Sequence, residues 1–132
     1  MALRWGQKRL LERLMVLLLD PKVKMRTRKL RSEHGTTDYN RDPQTREVRD
    51  MLITIDPRNA AVVTIVIHEL LHLFMAIEYQ VDRNFGEMLE EGIVKGLTEE
   101  LQSYIHDAKR GKLLQKWVIA VNAKLNLPTK GA

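Results

Sequence analysis

The sequence predicts an α+β fold in a single domain over residues 1–132: a small mixed sheet packed on a central helix, with further helices below it. Three features point there. The stretch Ala60 to Tyr79 is apolar nearly all round at helical length, which marks a helix enclosed by protein and not one lying on a surface. Two shorter stretches read as strands. Val23, Met25 and Thr27 alternate with Lys22, Lys24, Arg26 and Arg28, and "MLITIDP" (Met51 to Pro57) is rich in β-branched residues and closed by Asp-Pro. Amphipathic helical stretches lie on either side of these.

Leu3 to Leu19 places Leu10, Leu11, Leu14, Leu17 and Leu18 on one stripe, and Asp20-Pro21 ends it. A strand over Val23 to Leu30 follows. Arg31 to Asp50 is polar, with turn signals at Gly35, Asn40 and Asp42-Pro43, and reads as a loop or a loose hairpin. After the Met51–Pro57 strand, Asp56 or Asn59 is expected to cap the central helix. Asp82 to Gly86 connects it to a helix over Glu87 to Ile105, with Val94, Leu97, Leu101 and Ile105 on its inner stripe and Asn84 three residues before Glu87 as in a capping box. Gly111 is expected to break that helix. "KLLQKWVIAVNAKLNL" is the last helix, and "PTKGA" a tail.

A chain of 132 residues can bury about two thirds of its unfolded surface and needs no covalent staple. The absence of cysteine excludes disulfides, thiolate metal sites and a cysteine nucleophile, so any metal must be held by His, Asp or Glu. The apolar stretch from Ala60 carries His68, Glu69 and His72 near its middle, which a bilayer would penalise by several kcal/mol, so a membrane span is not expected and a cytoplasmic location is. The formal net charge is +5, with a local excess in "KVKMRTRKLR". No aromatic residue interleaves those cations as stacking on bases requires, so the run reads as a charge-protected edge strand, and nucleic acid is not an expected partner.

The chemistry lies in "VIHELLHL". His68 and His72, four residues apart, project from one face of a helix about 6 Å apart along the axis and can share a metal ion. Glu69 points about 100° round the helix, beside the metal, where a carboxylate can hold the attacking water as a general base. Buried histidines satisfied by backbone carbonyls would not explain a carboxylate on the same dry helix. A catalytic zinc takes a third protein ligand, and Glu87, Glu90, Glu91, Glu99 and Glu100 are at hand. Helical phase removes Glu99 and Glu100 but does not choose among Glu87, Glu90 and Glu91.

His68-Glu69-Leu70-Leu71-His72, eighteen residues and then Glu91, resembles the HExxH-x18-E arrangement of the gluzincin zinc metallopeptidases, the clan of thermolysin and the zinc aminopeptidases. The resemblance runs from Met51 to Leu97. In the aminopeptidases the ligand glutamate precedes a glycine at the start of a helix, as in "MLEEGIVKGL", which implies Glu91 as third ligand with Glu90 in reserve. The short chain resembles the single-domain minigluzincins and phage-type HExxH proteins. The likeness implies a zincin-like fold, a Zn2+ cofactor and peptidase activity on peptide or protein substrates. One position departs: Lys95 stands where thermolysin-like enzymes carry an acidic residue supporting the histidines, and Glu99 or Asp56 is expected to take its place.

For the oxyanion, Tyr79 lies on the helical face of His72 and about 10 Å further along. Tyr104 and His106 lie where the clan often places such donors, and His34, in the polar loop, is expected at the surface. In zincins a strand before the active-site helix rims the cleft and pairs with substrate, a role that falls here to "MLITIDP". The competing function is a non-catalytic zincin-like module, a phage or regulatory protein that holds nucleic acid or an acidic partner through the basic strand. Glu69 separates the two, since a purely structural zinc site needs no base.

Overall fold

A computed structural model of the chain describes residues 6–58, 61–79 and 87–127. Helix α1 (Gln7–Leu19) forms on the leucine stripe, with Leu10, Leu11, Leu14 and Leu18 buried and Leu17 packed partly against the core. Pro21 cannot extend it, and the Asp20 N–H closes it on the Leu17 carbonyl. Strand β1 (Lys24–Thr27) is shorter than the expected Val23–Leu30, although Val23 is fully buried just before it and the Arg28 N–H adds one bond, to Ile55.

The polar stretch expected as a loop or loose hairpin contains strand β2 (Gly35–Arg41), which pairs antiparallel with β3 (Val48–Ile55). At the turn between them the Asp42 carboxylate accepts from the Gln44 and Thr45 N–H groups, and Arg46 takes a left-handed φ of 65°. Those backbone donors, with the Arg49 guanidinium beyond them, hold the Asp42 carboxyl below its usual range. The sheet order is β1-β3-β2, with β1 parallel to β3, so the sheet is mixed as expected. One expectation is overturned. "MLITIDP" lies in β3, the centre of the sheet, where both backbone edges are already paired, so it cannot add a substrate strand. The outer edge next to the hairpin belongs to β2.

Helix α2 (Val62–Glu78) lies between the sheet and the other helices, touching β2 and β3 on one side and α1, α3 and α4 on the other. That enclosure accounts for its all-round apolar character: Val66, Ile67 and Glu69 to Ala76 are all buried. It has no side-chain N-cap on Ala61. Asp56 is engaged elsewhere, accepting from the Leu30 and Arg58 N–H groups and from the Arg58 guanidinium at 2.6 Å, and Asn59 lies outside the described residues. The far end is tied to the hairpin, where Arg41 donates to the Ala76 carbonyl at 2.8 Å.

The Arg58 guanidinium, then the Leu30 and Arg58 amides, hold the Asp56 carboxyl far below the ordinary carboxylate range. A carboxyl depressed on folding stabilises the native state above its unfolded pKa of about 4 and loses that contribution as pH falls toward the native value. Asp56→Asn is therefore expected to lower the urea midpoint at pH 7. The gap to wild type should narrow as the comparison is repeated down to pH 3.

Helix α3 (Glu87–Ile105) matches its expected bounds and buries Val94, Leu101 and Ile105. The connector 82–86, with Asn84, and the tail 128–132 lie outside the described residues. Gly111 does not break α3. That helix ends at Ile105, a 3-10 turn (Ala108–Arg110) follows, and Gly111 is the first residue of α4 (Gly111–Leu125), which buries Trp117, Val121 and Leu125. Among the described residues no helix is long and apolar enough to cross a membrane.

Candidate metal centre

One turn of α2 brings the His68 and His72 rings to 5.0 Å between centroids, tilted by 72°. Each ring is oriented by a partner from α3. The Thr98 hydroxyl spends its hydrogen on the Val94 carbonyl at 2.7 Å, so its oxygen accepts from His68 Nδ1 at 3.2 Å. The Glu90 carboxylate, an acceptor only, takes the Nδ1 hydrogen of His72 at 3.2 Å. Both rings thus carry a proton on Nδ1, and both Nε2 atoms face Glu91. Its Oε1 lies 2.9 Å from His68 Nε2 and its Oε2 3.0 Å from His72 Nε2.

Lone pairs converging without a hydrogen between them repel, so the arrangement needs a positive centre, either a metal ion or further protons on the rings. The three donor side chains offer ligand atoms all within 4.8 Å of one another. A tetrahedral zinc spaces such atoms by about 3.3 Å, and the two His–Glu91 separations, 2.9 and 3.0 Å, lie within a few tenths of an ångström of that. The donor set, two neutral imidazoles and one carboxylate, is also one that zinc accepts. Glu91 is half exposed whereas His72 and Glu90 are buried, so the centre opens to solvent on the Glu91 side and is dry behind.

Glu69 is 4% exposed and turns toward the sheet. The Thr37 hydroxyl, on β2, lies 2.8 Å from its Oε1 and 3.0 Å from its main-chain carbonyl, and its one hydrogen can serve either. Strand and helix approach closely here. A Cβ at Gly35 would meet Ile65 Cγ2 at 2.9 Å and Glu69 Cγ at 3.0 Å, so only glycine lets β2 run this near the carboxylate.

No protein-family model, curated protein or solved structure matches the chain. The likeness to the gluzincins therefore rests on the motif and its spacing alone.

Of the residues singled out in the sequence, the fold brings His68, His72 and Glu91 together and sets Glu69 beside them on α2. Tyr79 is the C-cap of α2, 45% exposed, its ring edge-on to Phe74 at 6.1 Å. Tyr104 is engaged under the Arg110 guanidinium, 3.8 Å from the ring centre, and His106 and His34 are exposed. The support expected from Glu99 or Asp56 comes instead from Glu90 and Thr98: Glu99 is exposed, and Asp56 holds Arg58. Glu90, the reserve ligand, orients His72 from behind. Thr98 follows Glu91 by seven residues, two helical turns, so the phase that exposed Glu99 could have found it.

If Glu90 and Thr98 orient the ligands, Glu90→Ala and Thr98→Val should each weaken zinc binding by about 10- to 100-fold without abolishing it. Glu99→Ala should leave it unchanged. Competition against a chromophoric chelator reads all three.

Proposed function

We propose that the protein is a zinc-dependent peptidase with a zincin-like arrangement, in which His68, His72 and Glu91 hold the metal. The observation that carries this reading is the buried carboxylate of Glu69, next to His68 along α2 and held by Thr37 of β2, where a structural metal site has no use for it. Zinc bound there would polarise the scissile carbonyl and make the attacking water more acidic. Glu69 would take the proton from that water and return it to the leaving amine. Thr37 would hold the Glu69 carboxylate in place by its hydroxyl. Glu90 and Thr98 would keep both imidazoles in the Nδ1–H form, so that neither Nε2 competes for the proton being moved.

The outer edge of β2, which runs past Glu69, supports a peptide in preference to a small ester as substrate. An extended chain can add to that edge as a further strand and lie along the site. The purified protein, loaded with one equivalent of zinc, should cleave members of a broad peptide library, stop on addition of a chelator and recover on readdition of zinc. A zinc-loaded chain that cleaves nothing in the library would overturn the peptidase reading while leaving the metal centre standing.

A further inference from the structure

Helices α1 and α4 pack side by side along a seam. Two adjoining hollows of about 490 and 460 Å³ run along it, sharing Met15, Lys112 and Lys116. The first is floored by Met15, Leu19, Ile119 and Ala120. Leu19 is 62% exposed and Ile119 53%, and Val16 beside them on α1 is 63% exposed. Two branched aliphatic side chains left in water on one trough, with a third next to it in the chain, mark a place of contact.

The charge around the trough identifies the partner. Lys112 and Lys116 stand on its rim, and Lys8 and Arg110 line the second hollow with one carboxylate, Glu12, so the lining carries four cations against one anion. Lys8, Lys112 and Lys116 have no ion-pair partner among the described residues. Helix α4 contains no acidic residue at all. A second copy of the chain would set this lining, with its excess of cations over the single Glu12, against its own image across a two-fold axis, and the net like charge disfavours that. A membrane surface is flat, whereas the trough is concave. The geometry points to a helix-in-groove contact with another protein: an amphipathic helix whose aliphatic stripe fills the α1–α4 trough and whose flanking Asp and Glu residues meet Lys112 and Lys116. Helix α4 is about 22 Å long, so the seam takes three to four turns of such a helix. The contact is independent of the metal centre and of any catalytic activity.

The test uses the full chain and a fluorescent synthetic helix of about sixteen residues with leucines at every third and fourth position and glutamates on both flanks. Anisotropy should give a Kd of about 10 µM or tighter at low salt, weakening as salt is raised. The paired change Lys112→Glu and Lys116→Glu should weaken it at least about tenfold, and Ile119→Asp should abolish it. Leu19→Gln, on the facing helix, should weaken it as well. These positions are exposed, so each variant should melt within about 2 °C of wild type. A lysine-flanked version of the peptide should not bind. The proposal is overturned if the acidic peptide does not bind, if the lysine-flanked one binds equally, or if Ile119→Asp has no effect. It is also overturned if the chain alone sediments as a dimer that Ile119→Asp dissociates, or if it binds anionic vesicles through these residues.

Discussion

Glu69→Gln is expected to leave zinc binding and the melting temperature close to wild type while lowering peptide turnover by about 10²- to 10⁴-fold. The amide keeps the shape of the carboxylate and can still meet the Thr37 hydroxyl, so the packing between β2 and α2 survives. What it cannot do is accept a proton from the attacking water. Glu91→Ala should give the opposite pattern, with zinc affinity falling first and turnover falling as a consequence, because Glu91 faces both Nε2 atoms. Zinc content and initial rates measured on the same preparations separate base from ligand. Loss of zinc from Glu69→Gln as complete as from Glu91→Ala would show that the roles are wrongly divided.

The second large effect concerns stability. Zinc at a hundred times its Kd should add about 2.7 kcal/mol to wild type, which in a domain of this size raises the melting temperature by about 10 °C. Neither His68→Ala nor His72→Ala should show that increment. The two variants should differ when zinc is withheld. His72 is 3% exposed and is the partner of a Glu90 that is equally buried, so its removal leaves a cavity and a buried carboxylate without its donor. Together these cost about 3 kcal/mol or more. His68 lies nearer the surface, and Thr98 keeps its bond to Val94 without it, so His68→Ala in chelator should melt close to chelated wild type. Equal melting of the two chelated variants would contradict the support assigned to Glu90.

The helices were legible in the sequence because each is wide enough to repeat its pattern: the leucines of α1, the enclosed run of α2 and the Val94–Leu101–Ile105 stripe of α3. Strand β2 was not, since an edge strand of which Thr37 is the one fully buried residue offers no alternation to read. The same gap hid which strand has a free edge at the site: the strand that precedes the active-site helix, which rims the cleft in zincins, is here β3 at the centre of the sheet. In the metal group, the His68–His72 spacing is a property of one helix and could be read directly. The choice between Glu90 and Glu91 could not, because both stand near the inner stripe of α3. What divides them is a rotation that carries Glu90 behind His72 and leaves Glu91 in front of both rings.

The strand order also gives the folding reaction a direction. β2 and β3 are joined by the short turn that Asp42 and Arg46 build, whereas β1 meets β3 only across the whole of β2, with Lys24 opposite Leu52. Closing the longer loop costs about 1.4 kcal/mol more in chain entropy, so the hairpin should form first and β1 dock onto it later. On the ribosome β1 nonetheless emerges earlier. Until β3 is made, Lys24 to Thr27 waits in water as an unpaired strand, open to the nascent segments of neighbouring chains. The cations along it disfavour its pairing with a second copy of itself, which is the use that charge has on an edge strand.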